Sequence, residues 1–272
     1  MHSFINLPSQ KTTVMKSLIC AIVLTLCIAS TQAQVVLMNG SIKLTEVNES
    51  SAFDNATLGL KQPLNLTLPK ADTVNFEFDV QNYTLGNQTP DAGQKRCANS
   101  AKGQHIHFIL DNKPYEALYK PANKVFLKPG KHTLIAFLSR SYHESIKTST
   151  AYVVKQITVG TTADTAVDIT KPMLVYSRPK GYYIGQDTGR VLVDFYVINT
   201  KLSPKGNRVR LTVNGTVFML SNWKPYLVEG LPMGESTIKL ELVDKKGRVI
   251  PGPYNVVERK ITLAAAEPIK KQ

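Results

Sequence analysis

Apolar residues fall at every second position in many short runs of this chain, and two sets of those runs follow one another in the same order. Val74 to Val80, Gln104 to Asn112 and Leu127 to Leu138 are answered by Val191 to Val197, Asn207 to Gly215 and Leu231 to Leu242. A period of two marks a strand with one face in a core, and repetition of the whole order marks one domain in tandem. The first copy is expected to place strands near 41–47, 73–83, 104–111, 114–120, 123–127, 131–139 and 150–159. The second is expected to place them near 173–177, 189–200, 207–213, 215–220, 225–229, 235–243 and 254–263. Clusters of Pro, Gly, Asn and Asp separate the runs, as between the strands of a β-sandwich. Nothing in the pattern has the period of a long amphipathic helix. The small polar stretch from Gly160 to Ala166 is the natural boundary between the copies.

The two copies agree at their inward positions and differ in their histidines. His105 and His107 stand where the second copy has Arg208 and Arg210, and His132 stands where it has Ser236. Alternation sends Ile106, Phe108 and Leu110 inward, so His105, His107 and Ile109 point out of the sandwich. The strand at 131–139 likewise turns Thr133, Ile135, Phe137 and Ser139 outward.

The N-terminus changes where such a fold would work. Lys16, the apolar run Leu18 to Ile28 and the small residues ending at Ala33 read as a signal peptide over 1–33, starting at Met15. The expected order is then a first sandwich at 34–160, a linker at 161–168, a second sandwich at 169–264 and a basic tail at 265–272, with no transmembrane segment after cleavage. Two of the 3 cysteines leave with the signal, so Cys97 has no internal disulfide partner. A disulfide-poor exported chain points to a bacterial envelope. Asn-x-Ser/Thr sequons at Asn48, Asn55, Asn65, Asn82, Asn87 and Asn214 pull toward a eukaryotic origin. The net charge of +13 loses two lysines and no acid with the signal, leaving +11. That balance suits acidic partners, although the basic residues are spread through both copies. Without aromatic and basic platforms, nucleic acid is not expected.

Leu127-Lys128-Pro129-Gly130-Lys131-His132-Thr133-Leu134 and its counterpart Leu231-Pro232-Met233-Gly234 resemble the turn into the sixth strand of immunoglobulin-like and fibronectin type III-like domains. The resemblance spans both copies and implies an all-β chain of two tandem immunoglobulin-like, seven-stranded sandwiches. It names a fold and no activity. Gly103-Gln104-His105-Ile106-His107 together with Phe137 to Glu144 is similar to a group of exported proteins of Gram-negative bacteria, which implies an envelope location. In the immunoglobulin-like topology the third and sixth strands are antiparallel neighbours. The two outward rows then form one face, with His105 beside the hairpin Arg140-Ser141-Tyr142-His143-Glu144.

Contiguous apolar surface needs a cover, to be supplied by the second copy, another subunit or a ligand, and the expected function is that of an exported, non-enzymatic binding or structural protein. Its partner-binding set is His105, His107, Ile109, Ile135, Phe137, Arg140, Tyr142, His143 and Glu144, and the partner is an envelope protein, a glycan or a second subunit. The first alternative is a periplasmic copper- or zinc-binding protein using His105, His107 and His143, with Cys97 as a further candidate ligand. His132 starts its strand about 30 Å from His143 and is not expected to join them. The second alternative is a carbohydrate-binding module around Trp223 and Tyr226, extended by Tyr182 and Tyr183. No Gly-x-Ser-x-Gly elbow, phosphate loop or placed pair of acids signals an enzyme, and no cofactor is required. The loop around Cys97, with Arg96 and Asn99, reads as solvent-exposed.

Overall fold

A computed structural model describes residues 35–62 and 65–266. The expected signal peptide, and the tail beyond Ala266, lie outside the described residues. Strands are numbered along the chain: β1 (Val36–Asn39), β2 (Ile42–Glu46), β3 (Thr57–Leu60), β4 (Asn65–Leu68), β5 (Asp72–Gln81), β6 (His105–Leu110), β7 (Glu116–Leu118), β8 (Ala122–Leu127), β9 (Gly130–Ser139) and β10 (Tyr152–Val159). They continue with β11 (Met173–Arg178), β12 (Gly181–Ile184), β13 (Val191–Ile198), β14 (Arg208–Val213), β15 (Thr216–Leu220), β16 (Tyr226–Glu229), β17 (Gly234–Val243) and β18 (Val256–Ala264).

The repeat holds for one sheet in connectivity as well as in pattern. One sheet of the first sandwich runs β4-β10-β9-β6-β7, and the corresponding sheet of the second runs β12-β18-β17-β14-β15. Each has a parallel pair at one edge, β4 with β10 and β12 with β18. Opposite the first lies β3-β5-β8, and opposite the second lies β11-β13-β16 extended by β2 and β1. The alternating residues fill two cores. Phe76, Phe78, Ile106, Phe108, Leu134, Ala136 and Leu138 meet in the first, and Val193, Phe195, Val209, Leu211, Ile238, Leu240 and Leu242 meet in the second.

The strand expected near 41–47 forms, but in the other sandwich. β2 pairs antiparallel with β16, Leu44 opposite Val228, and Ile42 and Leu44 lie in the second core. The second sandwich is therefore discontinuous in sequence, with the first inserted between β2 and β11. By strand pairing among the described residues the sandwiches hold eight and ten strands rather than seven each. The period of β2 predicts a buried strand but carries no information on its neighbour. The docking also demands glycine at 230, where φ is +85° and a Cβ would lie 2.1 Å from the Ser41 carbonyl oxygen.

Candidate functional site: a histidine group between the sandwiches

The apolar face of the first sandwich is covered by the second. Ile109, Ile135 and Phe137 are fully buried and pack in one cluster with Val175 of β11 and Tyr196 and Ile198 of β13. Phe137 stacks on Tyr196 with ring centroids 4.9 Å apart. Polar contacts flank the apolar ones. Asp194 of β13, wholly buried, accepts from the Ser145 backbone N–H at 3.2 Å and pairs with Lys147 at 2.5 Å. Of the three expected covers the second copy is the one that serves, so Ile109, Ile135 and Phe137 are not free to meet an external partner. Arg140, Tyr142 and Glu144 are buried as well: Arg140 pairs with Glu144 at 2.9 Å and donates to the Ser51 carbonyl, and the Tyr142 hydroxyl donates to Asp91 at 3.2 Å. A face that is outward for one sandwich is inward for a chain that folds two together.

The strand pairing then gathers three histidines. β6 and β9 run antiparallel, with His105 opposite Ser139 and His107 opposite Phe137. The hairpin after β9 returns His143 to the same end, in the left-handed conformation at φ 69°. One ring nitrogen from each of His105, His107 and His143 lies within 4.8 Å of the others. His105 Nε2 is 2.9 Å from His107 Nε2 and 3.1 Å from His143 Nδ1. The far nitrogens of the first two are held. His105 Nδ1 lies 2.8 Å from the Gly103 carbonyl, which can only accept, so that nitrogen carries the proton and Nε2 presents its lone pair inward. His107 Nδ1 lies 3.0 Å from the Ser177 hydroxyl, which can donate or accept and so permits either tautomer. Gly103 is itself fixed: φ is +83° and a Cβ there would meet the Gly86 carbonyl oxygen at 2.3 Å.

The surroundings keep the rings uncharged. Burial pulls His105 down to about 4, and His107 and His143 well below the ordinary imidazole value, with Arg178 and Lys180 adding to the effect at all three. Tyr115 stacks on His107, centroids 3.5 Å apart and rings 10° from parallel, and its hydroxyl lies 3.1 Å from His143 Nδ1. Three neutral, largely buried imidazoles that converge, two with the opposite nitrogen hydrogen-bonded, are a donor set suited to copper or zinc. Metal bonds of about 2.0–2.1 Å set ligand nitrogens roughly 3.3–3.5 Å apart, so the 2.9 and 3.1 Å pairs would have to open slightly.

The remaining candidates do not join this group. Cys97 is buried against Leu192, Leu227 and Tyr142 and is absent from the metal-competent cluster. Burial raises its thiol to about 11, against the expectation of an exposed loop. The loop's polar neighbours are real, but the cysteine itself turns under them. His132 pairs with Asp111 at 2.8 Å, which raises its pKa, on the far end of β9. The carbohydrate platform is not assembled. Tyr183 and Tyr226 sit in the second core, Trp223 is half-buried with its Nε1 donating to the Phe195 carbonyl at 3.1 Å, and only Tyr182 of the four is exposed, at 69%. Trp223 does line a cleft of about 370 Å³ with Phe53, Arg140, Glu144 and Lys224.

Tyr115, Ser177, Arg178 and Lys180 belong to the site and escape a reading of the sequence. The signal that could have found Arg178 is a charge closing the otherwise buried strand Met173–Arg178. Tyr115 and Ser177 carry no such mark.

No protein-family description and no curated protein matches the chain. Among solved structures, fibronectin(III)-like modules of Clostridium thermocellum CbhA are similar over 79% of this chain and 100% of theirs, at 14% identity and a TM-score of 0.28. A complex of Dpr2 Ig1-Ig2 with DIP-Theta Ig1-Ig3 is similar over 77% of this chain and 99% of that one, at 10% identity and 0.21. A Salmonella alpha-2-macroglobulin mutant is similar over 80% of this chain and 17% of its own, at 12% identity and 0.24. Fibronectin III-like modules and immunoglobulin domains thus stand among the neighbours of this all-β chain. Among the described residues no helix is long and apolar enough to cross a membrane.

Proposed function

We propose that this is an exported, non-enzymatic binding protein of a bacterial envelope that holds one copper ion between its two sandwiches through His105, His107 and His143. The observation that supports the reading is the convergence of the three ring nitrogens within 4.8 Å. The signal-like N-terminus supports export. Monovalent copper suits the site better than zinc, because the ligands are neutral, Arg178 and Lys180 act on all three rings, and each added unit of buried charge is costly. Copper requires His107 to carry its proton on Nδ1, donating to Ser177, so that Nε2 is available. That is a tautomer change with no change in charge.

The test is metal titration of the chain from residue 34 onward, purified without a histidine tag, with monovalent copper and with zinc against a chromophoric chelator. One copper per chain is expected, lost in His105→Ala, His107→Ala and His143→Ala and retained in His132→Ala. Affinity no tighter than micromolar, or equal losses at all four positions, would reject the reading.

A further inference from the structure

Beside the histidine group, on the side of Tyr115 away from it, the chain buries cations without matching acids. Arg178 is 8% exposed; one of its terminal nitrogens donates to the Tyr183 hydroxyl at 3.3 Å. Lys180 lies 3.7 Å from the centroid of the Tyr115 ring, and the Arg259 guanidinium lies 4.3 Å from that of Tyr176. Among the described residues, none of these three cations forms an ion pair. Glu116 is the acid whose field reaches Lys180, whereas Lys260 nearby is already paired with Glu235 at 2.7 Å.

The hydrogen-bonding inventory is equally one-sided. Both terminal nitrogens of Arg259, Nε of Arg178 and the Tyr176 hydroxyl are buried and have no hydrogen-bond partner. Buried polar groups in folded proteins are nearly always satisfied, and one left alone costs the full desolvation of the group. All four groups can donate, and only the Tyr176 hydroxyl can also accept. A cleft of about 450 Å³ reaches this cluster at Lys180 and Arg259, with Pro114, Gly181 and Lys260 completing its lining.

We infer that the cleft between Lys180 and Arg259 is a binding site for a divalent oxyanion, a phosphate or sulfate group. A guanidinium fork and an ammonium are the side chains that such groups attract, the first by paired hydrogen bonds and the second as a point charge. A cation is excluded by the charge, and a neutral ligand would leave it uncompensated. Crowding of the cations also shows in Lys180, which burial and the neighbouring guanidinium groups of Arg178 and Arg259 depress to about 8. An anion reverses that penalty. The cleft is wider than a bare oxyanion, so the group is either free or carried on a small sugar.

Calorimetric titration of the full chain with inorganic phosphate tests the site. One phosphate per chain is expected, displaced by sulfate and not by chloride or acetate at matched ionic strength. Lys180→Gln and Arg259→Gln should each weaken binding about tenfold, the worth of one charge-assisted hydrogen bond, while Lys61→Gln, in the first sandwich and paired with Glu77, changes it less than twofold. Lys180→Gln leaves Arg259 over the Tyr176 ring, and an unchanged urea midpoint in each variant shows that the fold is intact. Tighter binding of glucose 6-phosphate than of phosphate identifies a carried group, and the reverse a free ion. Displacement by chloride as readily as by sulfate, or unchanged affinity in both Lys180→Gln and Arg259→Gln, would overturn the assignment. His143→Ala should leave phosphate binding intact, which separates this site from the copper reading.

Discussion

His107 of the first sandwich meets Ser177 of the second across their interface, Nδ1 to Oγ at 3.0 Å. The orientation of one imidazole of the histidine group is therefore set by a residue about seventy positions away, in the other sandwich. Ser177→Ala removes that partner while changing little volume. Copper affinity should fall by about tenfold or more, the usual loss when the support of a ligating imidazole is removed. Chelator competition reads the affinity, and an unchanged urea midpoint shows that the fold is intact.

Proton linkage at His105 has a definite sign. Its folded value of about 4 lies below the ordinary 6.5, so between these limits the unfolded chain binds more protons than the folded one. Stability should fall as pH drops from about 6.5 toward 4, by roughly 3 kcal/mol for this group, and His105→Gln should flatten the profile in that window. Copper affinity should persist well below pH 6.5, because protons do not compete for the folded site until the depressed values are reached. Urea unfolding and chelator competition across pH 4 to 8 check both.

Phe137→Ala should cost about 3–5 kcal/mol, as for any large buried aromatic reduced to alanine, because the ring is fully buried against Tyr196. Binding of a hydrophobic dye should rise if the cavity loosens the sandwich interface. An exposed partner-binding residue would show neither effect, so denaturant curves decide the matter directly.

Cys97 should react with iodoacetamide only after unfolding. Burial shields the sulfur and holds the thiol near 11, so thiolate is scarce at neutral pH. Mass spectrometry before and after addition of guanidinium gives the answer; rapid native labelling would contradict the packing against Leu192 and Leu227.

Removing residues 35–47 should unfold the second sandwich, since Ile42 and Leu44 leave its core and β16 loses one of its two neighbours. The loss of two such side chains is on the order of 2–5 kcal/mol each. Circular dichroism of the truncated chain, with and without the peptide added back, reports the dependence.

These outcomes also show what the amino-acid pattern can carry. The alternation of Ile106, Phe108 and Leu110 against Val209, Leu211 and Val213 placed both cores, because side-chain direction along a strand is a local property. The same alternation turned His105 and His107 outward, and the antiparallel partnership of β6 and β9 brought His143 beside them. What covers that face is not local. Nothing in the run from Ile42 to Glu46 tells it to dock on Tyr226–Glu229 instead of the nearer strands, and nothing around Cys97 reveals that the loop folds over Leu192. Arg178 and Arg259 stand on strands β11 and β18 about eighty residues apart, so their convergence on Tyr176 and Tyr115 exists only in three dimensions.

Inserting the first sandwich between β2 and β11 has a mechanical consequence. The two ends of the described chain, β1 and β18, both belong to the second sandwich. Tension applied between them is carried by the hydrogen bonds joining β2 to β16 and by the sheets beyond, while the inserted sandwich hangs outside the load path with its covalent connections slack. Stretched between β1 and β18, the molecule would yield first where β1 peels from β2 and then where β2 leaves β16, and only after that release would force reach the face that holds the histidines.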